Sequence, residues 1–371
     1  MNITAITEKE LRTCLRLTLN HEIKPSFCRI LLAHFGFDVF EQTASQIALL
    51  SSMEQAEIVL KPLTQEQDAL LEKTMEWASK DQNFILTLAD PLYPKKLLEI
   101  SDPPILLYAH GHIDTLKRRM LAMVGSRNAT FYGLSNAEQF AKNLAPHFCI
   151  VSGLARGIDA SAHQGALAAG CPQATIAVMA TGMNYIYPSE NKDLAHRVAE
   201  QGLIVSEYAL DTRAKNYHFP RRNRIIAGLS DGTLVIEANE KSGSLITAQL
   251  SLDMGREVFA IPGSIHSPES KGCHALIKNG AKLVESSDDV LQEFDLNGLL
   301  MQEEMTLNVQ PALTNQEEKF LRKMGFEALS LEELIYHTGI DLAGLNARLF
   351  RLEQLGCVKR LPDGRYIQLS R

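Results

Sequence analysis

The sequence predicts an α/β chain: a doubly wound, mostly parallel sheet, preceded by a small helical segment and followed by a winged helix. Three observations lead there. Between residues 105 and 294, near-continuous Val/Ile/Leu runs alternate with helical stretches, the pattern of strands buried on both faces with helices between them. Upstream, leucines at helical spacing replace those runs. Downstream, three short helical stretches precede two strand-like runs around Pro-Asp-Gly. At 371 residues the chain exceeds one ordinary core, and the changes of pattern divide it into residues 1–80, 81–296, a linker over 297–313, and 314–371.

In the first segment Leu11, Leu15 and Leu19 share one helix face, and Ile30, Leu31, Leu32 and Phe35 mark a second helix ending at Gly36. Residues 25–36 loosely resemble helix-hairpin-helix or SAM-like modules, which sometimes touch DNA backbone; a small helical packing or interaction domain is the simpler reading. A connector follows, punctuated by Pro91, Pro94, Pro103 and Pro104. The strands of the central segment are ILLYAHG, MLAMVGS, CIVSG, ATIAVMA, LIVSEY, TLVIEA, EVFAIPG and KLVES. Helices such as NAEQFAKNLA, DASAHQGALAA, NKDLAHRVAE, RNRIIAGL and SLITAQLSLDM lie between them, giving a Rossmann-like sheet. At the end, NQEEKFLRKM, LEELIYHTG and LAGLNARLFRLEQLG supply three helices, and CVKRLPDGRYIQLS the wing. Asn346, Arg348 and Arg351 on the third helix, with Lys359, Arg360 and Arg365 on the wing, suit duplex DNA; winged helices also serve as protein–protein modules.

Composition narrows the class. With 45% hydrophobic and 22% charged residues the chain reads as soluble and globular. No eighteen apolar residues follow one another, so no membrane span is expected, and charges interrupt every apolar run at the start, so no signal peptide is expected. Cys14, Cys28, Cys149, Cys171, Cys273 and Cys357 are scattered without CxxC spacing, which predicts reduced thiols, no metal site and a cytoplasmic location. A formal net charge of −7 excludes a uniformly basic nucleic-acid coat, so any polyanion must meet a local patch. Residues 212–230 form one: Arg213, Lys215, Arg221, Arg222 and Arg224 occur there with no acidic residue among them.

In an open α/β sheet, ligands sit beyond the carboxyl ends of the strands. Four loops expected there are rich in Gly, Ser and Arg. After the second strand-like run, Gly125 admits close backbone approach, Ser126 donates, and Arg127 offers a fork for phosphate. Next comes Ser152-Gly153-Leu154-Ala155-Arg156-Gly157, where Asp159 is expected to cap the following helix. The third, Phe219-Pro220-Arg221-Arg222-Asn223-Arg224, sets arginines on the first turn of a helix, unfavourable against its dipole unless an anion is bound or carboxylates such as Glu207 or Glu237 brace them. Phe219 beside them suits either base stacking or the core. The fourth, Lys241-Ser242-Gly243-Ser244, opens a helix with small residues that expose backbone N–H groups. None is a dinucleotide or Walker motif, so no cofactor is expected. His163, His218, His266 and His274 lack the partners of a catalytic set, which points to binding without catalysis.

These residues resemble the DNA-processing protein A (DprA/Smf) family. VGSRNATFYG, VSGLARGIDASAHQGAL, YPSEN, SEY, FPRRNRIIAGLS, SGSLITAQ, GREVFAIPGS and GCHALIKNGAKLV carry the resemblance, in order, over roughly half of the chain. The resemblance implies a protein that binds and protects incoming single-stranded DNA, loads the RecA recombinase during natural transformation, and self-associates as a homodimer. It places strand contacts on Ser126, Arg127, Gly153, Phe219 and its neighbouring arginines, and the Ser242-Gly243-Ser244 turn. The family often has a lysine shortly before the FPxRNR motif; Lys215, separated from the aromatic cluster by Asn216, is included with Asn223 and Lys241. It places self-association on His274, Ile277 and Leu283.

Two alternatives remain. A phosphoribohydrolase of the lysine-decarboxylase-like group shares this sheet, but its PGGxGTxxE motif is here Glu240-Lys241-Ser242-Gly243-Ser244-Leu245-Ile246-Thr247, without the double glycine or the glutamate. A duplex-binding regulator acting through the winged helix leaves the basic central loops unexplained.

Overall fold

The apolar runs form strands β1 (Asn83–Thr87), β2 (Leu106–Gly111), β3 (Met120–Val124), β4 (Cys149–Ser152), β5 (Thr175–Val178), β6 (Leu203–Ser206), β7 (Gly232–Val235), β8 (Glu257–Ala260) and β9 (Lys282–Leu283). In this computed structural model, which describes residues 7–294, 313–325, 328–361 and 364–369, they pair as one sheet in the order β1-β2-β6-β5-β4-β3-β7-β8-β9. From β6 to β9 every pairing is parallel; β2 runs antiparallel to both β6 and β1. All eight anticipated strands are present. β1 was hidden: five residues, NFILT, lead straight into the proline-punctuated segment expected as a connector, and that segment also holds the short helix Lys95–Leu98.

The order reverses between β3 and β7. The chain winds outward from β3 through β4, β5 and β6, then returns to place β7 on the other side of β3. Helices Phe131–Leu144, Ile158–Ala168 and Lys192–Gln201 make the first set of crossovers, and His218–Leu229, Ser244–Asp253 and Lys271–Lys278 the second. The two sets cover opposite faces. Ile225, Ile226, Ala248 and Leu276 pack with Ala122, Val151, Val178 and Val235 on one side, whereas Leu167, Leu194 and Val198 pack with Ala177 and Ile204 on the other. Strands β3 to β7 are therefore buried along their whole length, which is why they read as unbroken apolar runs.

The chain divides into two compact units, residues 1–298 and 299–371. Among the described residues five α-helices precede the sheet: Glu8–Leu19, Pro25–Phe35, Ala44–Ala48, Met53–Leu60 and Gln65–Ala78. Thr7, Thr43, Ser52 and Thr64 cap four of them through their hydroxyls. Leu15, Leu17, Leu31 and Ile47 share a core with Ile85, Leu106 and Tyr108 of β1 and β2, so this helical head is built onto the antiparallel edge of the sheet.

In the second unit, helices Asn315–Met324, Leu331–Thr338 and Leu342–Gln354 precede the antiparallel pair β10 (Val358–Arg360) and β11 (Tyr366–Gln368), a winged helix as expected. Phe320, Leu334, Leu345, Leu349 and Leu352 form its core. Pro362 and Asp363 of the expected turn, and all of the expected linker but Leu313, lie outside the described residues. Arg351 pairs with Glu317 at 2.6 Å, and Arg348 stands over the Phe320 ring.

Candidate functional site

The reversal of strand order opens a crevice beyond the carboxyl ends of β3 and β7, where ligands of doubly wound sheets bind. Here it is a cleft of about 480 Å³ lined by three of the anticipated loops and by the first turns of helix His218–Leu229. Close backbone fits hold those loops. A Cβ at Gly125 would stand 2.5 Å from Ile158 Cγ1 and 2.9 Å from the Glu237 carbonyl oxygen, so only glycine lets β3 leave the sheet this way. Ser126 N–H donates to Glu237 O at 2.7 Å, and Ile158 N–H to Ser126 O at 3.2 Å. The buried Ser126 Oγ accepts from Asn128 N–H at 3.2 Å.

Arg127 is exposed, and its guanidinium stands over the Phe219 ring with Cζ 5.2 Å from the centroid. Phe219 also meets Tyr187, ring centroids 5.5 Å apart at 54°. Tyr187 is half exposed, so a cation and two aromatic faces share one rim of the cleft. On the opposite rim Lys241 is exposed, Ser242 and Ser244 hydroxyls bond at 2.6 Å, and Gly243 is the N-cap of helix Ser244–Asp253, with Ser242 Oγ accepting from Ser244 N–H at 3.3 Å. The positive end of that helix dipole and the small residues around it face the same space. Asn223 Nδ2 donates to Gly243 O at 3.3 Å and ties the two rims together.

Two of the expected contacts turn inward. Arg222 is 3% exposed; its Nη1 donates to Gly153 O at 2.7 Å and to Val178 O, so the guanidinium braces the second loop instead of facing a ligand. Burial pushes its pKa down to about 10, opposed chiefly by Asp159, so it stays charged at neutral pH. Arg224, also buried, pairs with Glu207 at 2.5 Å and Asp102 at 3.3 Å, and Arg221 reaches the same Glu207 at 3.5 Å. Glu207 is thus a brace; Glu237 is not, for it accepts from the Thr130 hydroxyl and N–H at 2.5 and 2.9 Å. Gly153 lies beneath Arg222, and its role is to leave room for that side chain.

Asp159 also departs from expectation. It follows the helix start, whose cap is Gly157, and its carboxylate accepts from Gly153 N–H at 3.2 Å and Ala155 N–H at 3.4 Å, folding the loop back on itself. Burial raises its pKa, against the pull of Arg222. Lys215 lines a separate groove on the far side of the helix start, with Arg221. His163 is buried, its Nδ1 2.7 Å from Thr175 Oγ1, and burial lowers its pKa to about 3. His218 is buried and stacked on Tyr208. His274 lies on helix Lys271–Lys278 with the half-buried Ile277, and the exposed Leu283 lies on edge strand β9. Tyr187 was missed as a site residue because nothing in its own segment announces that the turn folds against Phe219. Among the described residues no group of His, Cys, Asp or Glu could hold a metal ion, and no helix is long and apolar enough to cross a membrane.

Residues 84–295, the sheet and this cleft, match the family described as DNA recombination-mediator protein A. The chain belongs to that family. Residues 308–364 match the DprA winged helix domain. The chain is 43% identical over 255 residues to DNA processing protein DprA of Streptococcus pneumoniae (strain ATCC BAA-255 / R6), covering 69% of this chain and 88% of that one. The X-ray structure of DNA processing protein A from Streptococcus pneumoniae superposes with a TM-score of 0.68 at 38% identity, over 78% of this chain and 98% of that chain. A second structure, of DNA processing protein A from Helicobacter pylori and concerned with its single-stranded DNA binding mode, aligns with a TM-score of 0.51 at 32% identity, over 59% of this chain and 96% of that chain. The cleft lies within the matched region.

Proposed function

We propose that the cleft holds single-stranded DNA and that the chain hands the bound strand to the RecA recombinase during natural transformation, in the cytoplasm and as a homodimer. The observation that carries this is the stacking of Arg127 over Phe219 opposite the positive end of helix Ser244–Asp253: phosphate and base are both provided for within one cleft. The Helicobacter pylori relative, studied for its single-stranded DNA binding, supports the choice of strand. The contact set is Ser126, Arg127, Phe219, Asn223, Lys241 and the turn of Ser242, Gly243 and Ser244, with Arg222 and Gly153 holding the loops beneath. Binding needs no reaction, and we assign no catalytic group. Self-association runs through His274, Ile277 and Leu283 at the β9 edge.

The test is fluorescence anisotropy with matched single-stranded and double-stranded oligonucleotides, comparing the full chain with Arg127→Ala at two salt concentrations. A single-strand preference that the substitution abolishes is the expected result. Duplex preference, or binding indifferent to Arg127, would move the site to the winged helix.

A further inference from the structure

A second groove lies on the other side of the start of helix His218–Leu229. It measures about 780 Å³, and its walls are the head, through His21 and Arg29, and the segment from Glu207 to Arg224. The short stretch of residues 215–221 is the ridge between the two depressions. Asn216, Phe219 and Pro220 line the switch-point cleft, whereas Lys215, Tyr217 and Arg221 line the groove.

The groove carries uncompensated positive charge. Its carboxylates are already engaged: Asp102 with Arg29 and Arg224, Glu207 with Arg221 and Arg224, and Asp211 with Lys73 at 2.7 Å. Arg213 and Lys215 form no ion pair among the described residues. Each instead stands over an aromatic ring, Arg213 over Tyr185 at 5.2 Å and Lys215 over Tyr217 at 5.8 Å. Tyr217 is 63% exposed, far more than a ring needs to be when it serves only the core. The pairing of a cation with an aromatic face, seen at Arg127 and Phe219, therefore recurs at Lys215 and Tyr217 two residues earlier on the same segment. An exposed ring beside unpaired cations is the chemistry that stacks an unpaired base and neutralises its phosphate.

We propose that this groove is a second subsite for the same strand, taking nucleotides that run over the ridge, with the helical head as its far wall. The inference rests on single-stranded DNA occupying the switch-point cleft. It makes the head part of the binding surface and gives Lys215, Arg213 and Tyr217 a place outside the cleft.

Two measurements on the full chain test it. In the first, dT15 carrying one 5-iodouracil at successive positions is photocrosslinked and adducts are located by mass spectrometry. Adducts on Tyr217 are expected from positions neighbouring those that mark Phe219 or Tyr187. In the second, Tyr217→Ala combined with Lys215→Ala is titrated with dT6 and dT15. Affinity for dT15 should fall roughly ten- to hundred-fold, the worth of one stacked base, while dT6, which the cleft accommodates, binds as before. Unchanged dT15 affinity without Tyr217 adducts would overturn the second subsite, and so would equal losses on both lengths. Failure of the cleft itself reads differently, since Arg127→Ala would then leave dT6 binding intact.

Discussion

The guanidinium of Arg222 occupies the space that a side chain at residue 153 would need, and it donates to the carbonyl oxygen of Gly153 at 2.7 Å. The cleft floor is therefore a fit between one glycine and one buried arginine brought from distant parts of the chain. Arg222→Leu removes the donor to Gly153 O and Val178 O and leaves Asp159 without its main opposing charge. Loss of about 3–5 kcal/mol is expected, the cost of stripping one partner from a buried charge. Urea unfolding followed by circular dichroism measures it.

Phosphate and stacking contributions separate by salt. Neutralising four phosphates costs roughly fifty-fold in affinity between about 50 and 200 mM salt. Arg127→Ala should lower the slope of log affinity against log salt by about 0.7. Phe219→Ala should weaken binding by about 1–3 kcal/mol at every salt concentration, with the slope unchanged. Anisotropy titrations at four salt concentrations resolve the two, and a slope change on removing Phe219 would contradict the assignment.

Gly157 has φ of +74°, and a Cβ there would collide with Ser126 O and stand 2.8 Å from Arg127 O. Gly157→Ala should cost about 1–3 kcal/mol of strain and displace Arg127. Lower thermal stability together with weaker strand binding is the expected pair of readouts.

His163 supplies a pH dependence. Thr175 Oγ1 donates to Ile150 O at 2.7 Å, so it accepts from Nδ1–H of a neutral imidazole. The folded pKa, about 3, lies below the ordinary 6.5. The folded state therefore binds fewer protons, and its stability is complete above about 6.5 and declines as the pH falls toward 3. His163→Leu should flatten the stability–pH curve over that interval, measured by urea midpoints at successive pH values.

Joining two modest sites raises affinity for long strands through effective concentration. Ile277→Glu at the β9 edge should weaken binding to long oligonucleotides more than to hexamers. Sedimentation alongside the titrations checks it; equal losses on both lengths would separate self-association from binding.

Much of this was legible in the sequence because buried parallel strands leave long apolar runs, and loops that approach anions need Gly and Ser. β1 escaped because five residues ending at a proline-rich stretch carry little periodic signal, and its partner β2 supplies the pairing. The inward turn of Arg222 did have a signal. It precedes Ile225, Ile226 and Leu229 by three, four and seven positions, which puts it on the buried stripe of its own helix. For Arg224 the sequence offers Glu207 as a brace but not which arginine it holds, since the burial depends on Glu207 and Asp102 arriving from elsewhere. An acidic residue near a helix start is usually its cap, but Gly157, with φ of +74°, is the cap here and leaves Asp159 inside the first turn.

The pairing of β3 with β7 has a kinetic consequence. β4, β5 and β6 all lie between them in the chain; of the cleft residues, Arg127 follows β3, Tyr187 follows β5, Phe219 follows β6, and Lys241 to Ser244 follow β7. During synthesis Arg127 emerges long before Lys241 to Ser244, and no partial chain ending before residue 244 owns every residue that lines the cleft. Assembly of the site thus waits on a contact of high sequence separation, the kind that forms late in folding. A ribosome-bound fragment ending before residue 244 has the groove and the Arg127–Phe219 rim but not the turn that follows β7, so on the proposed reading the cleft becomes able to hold a strand only when β7 docks.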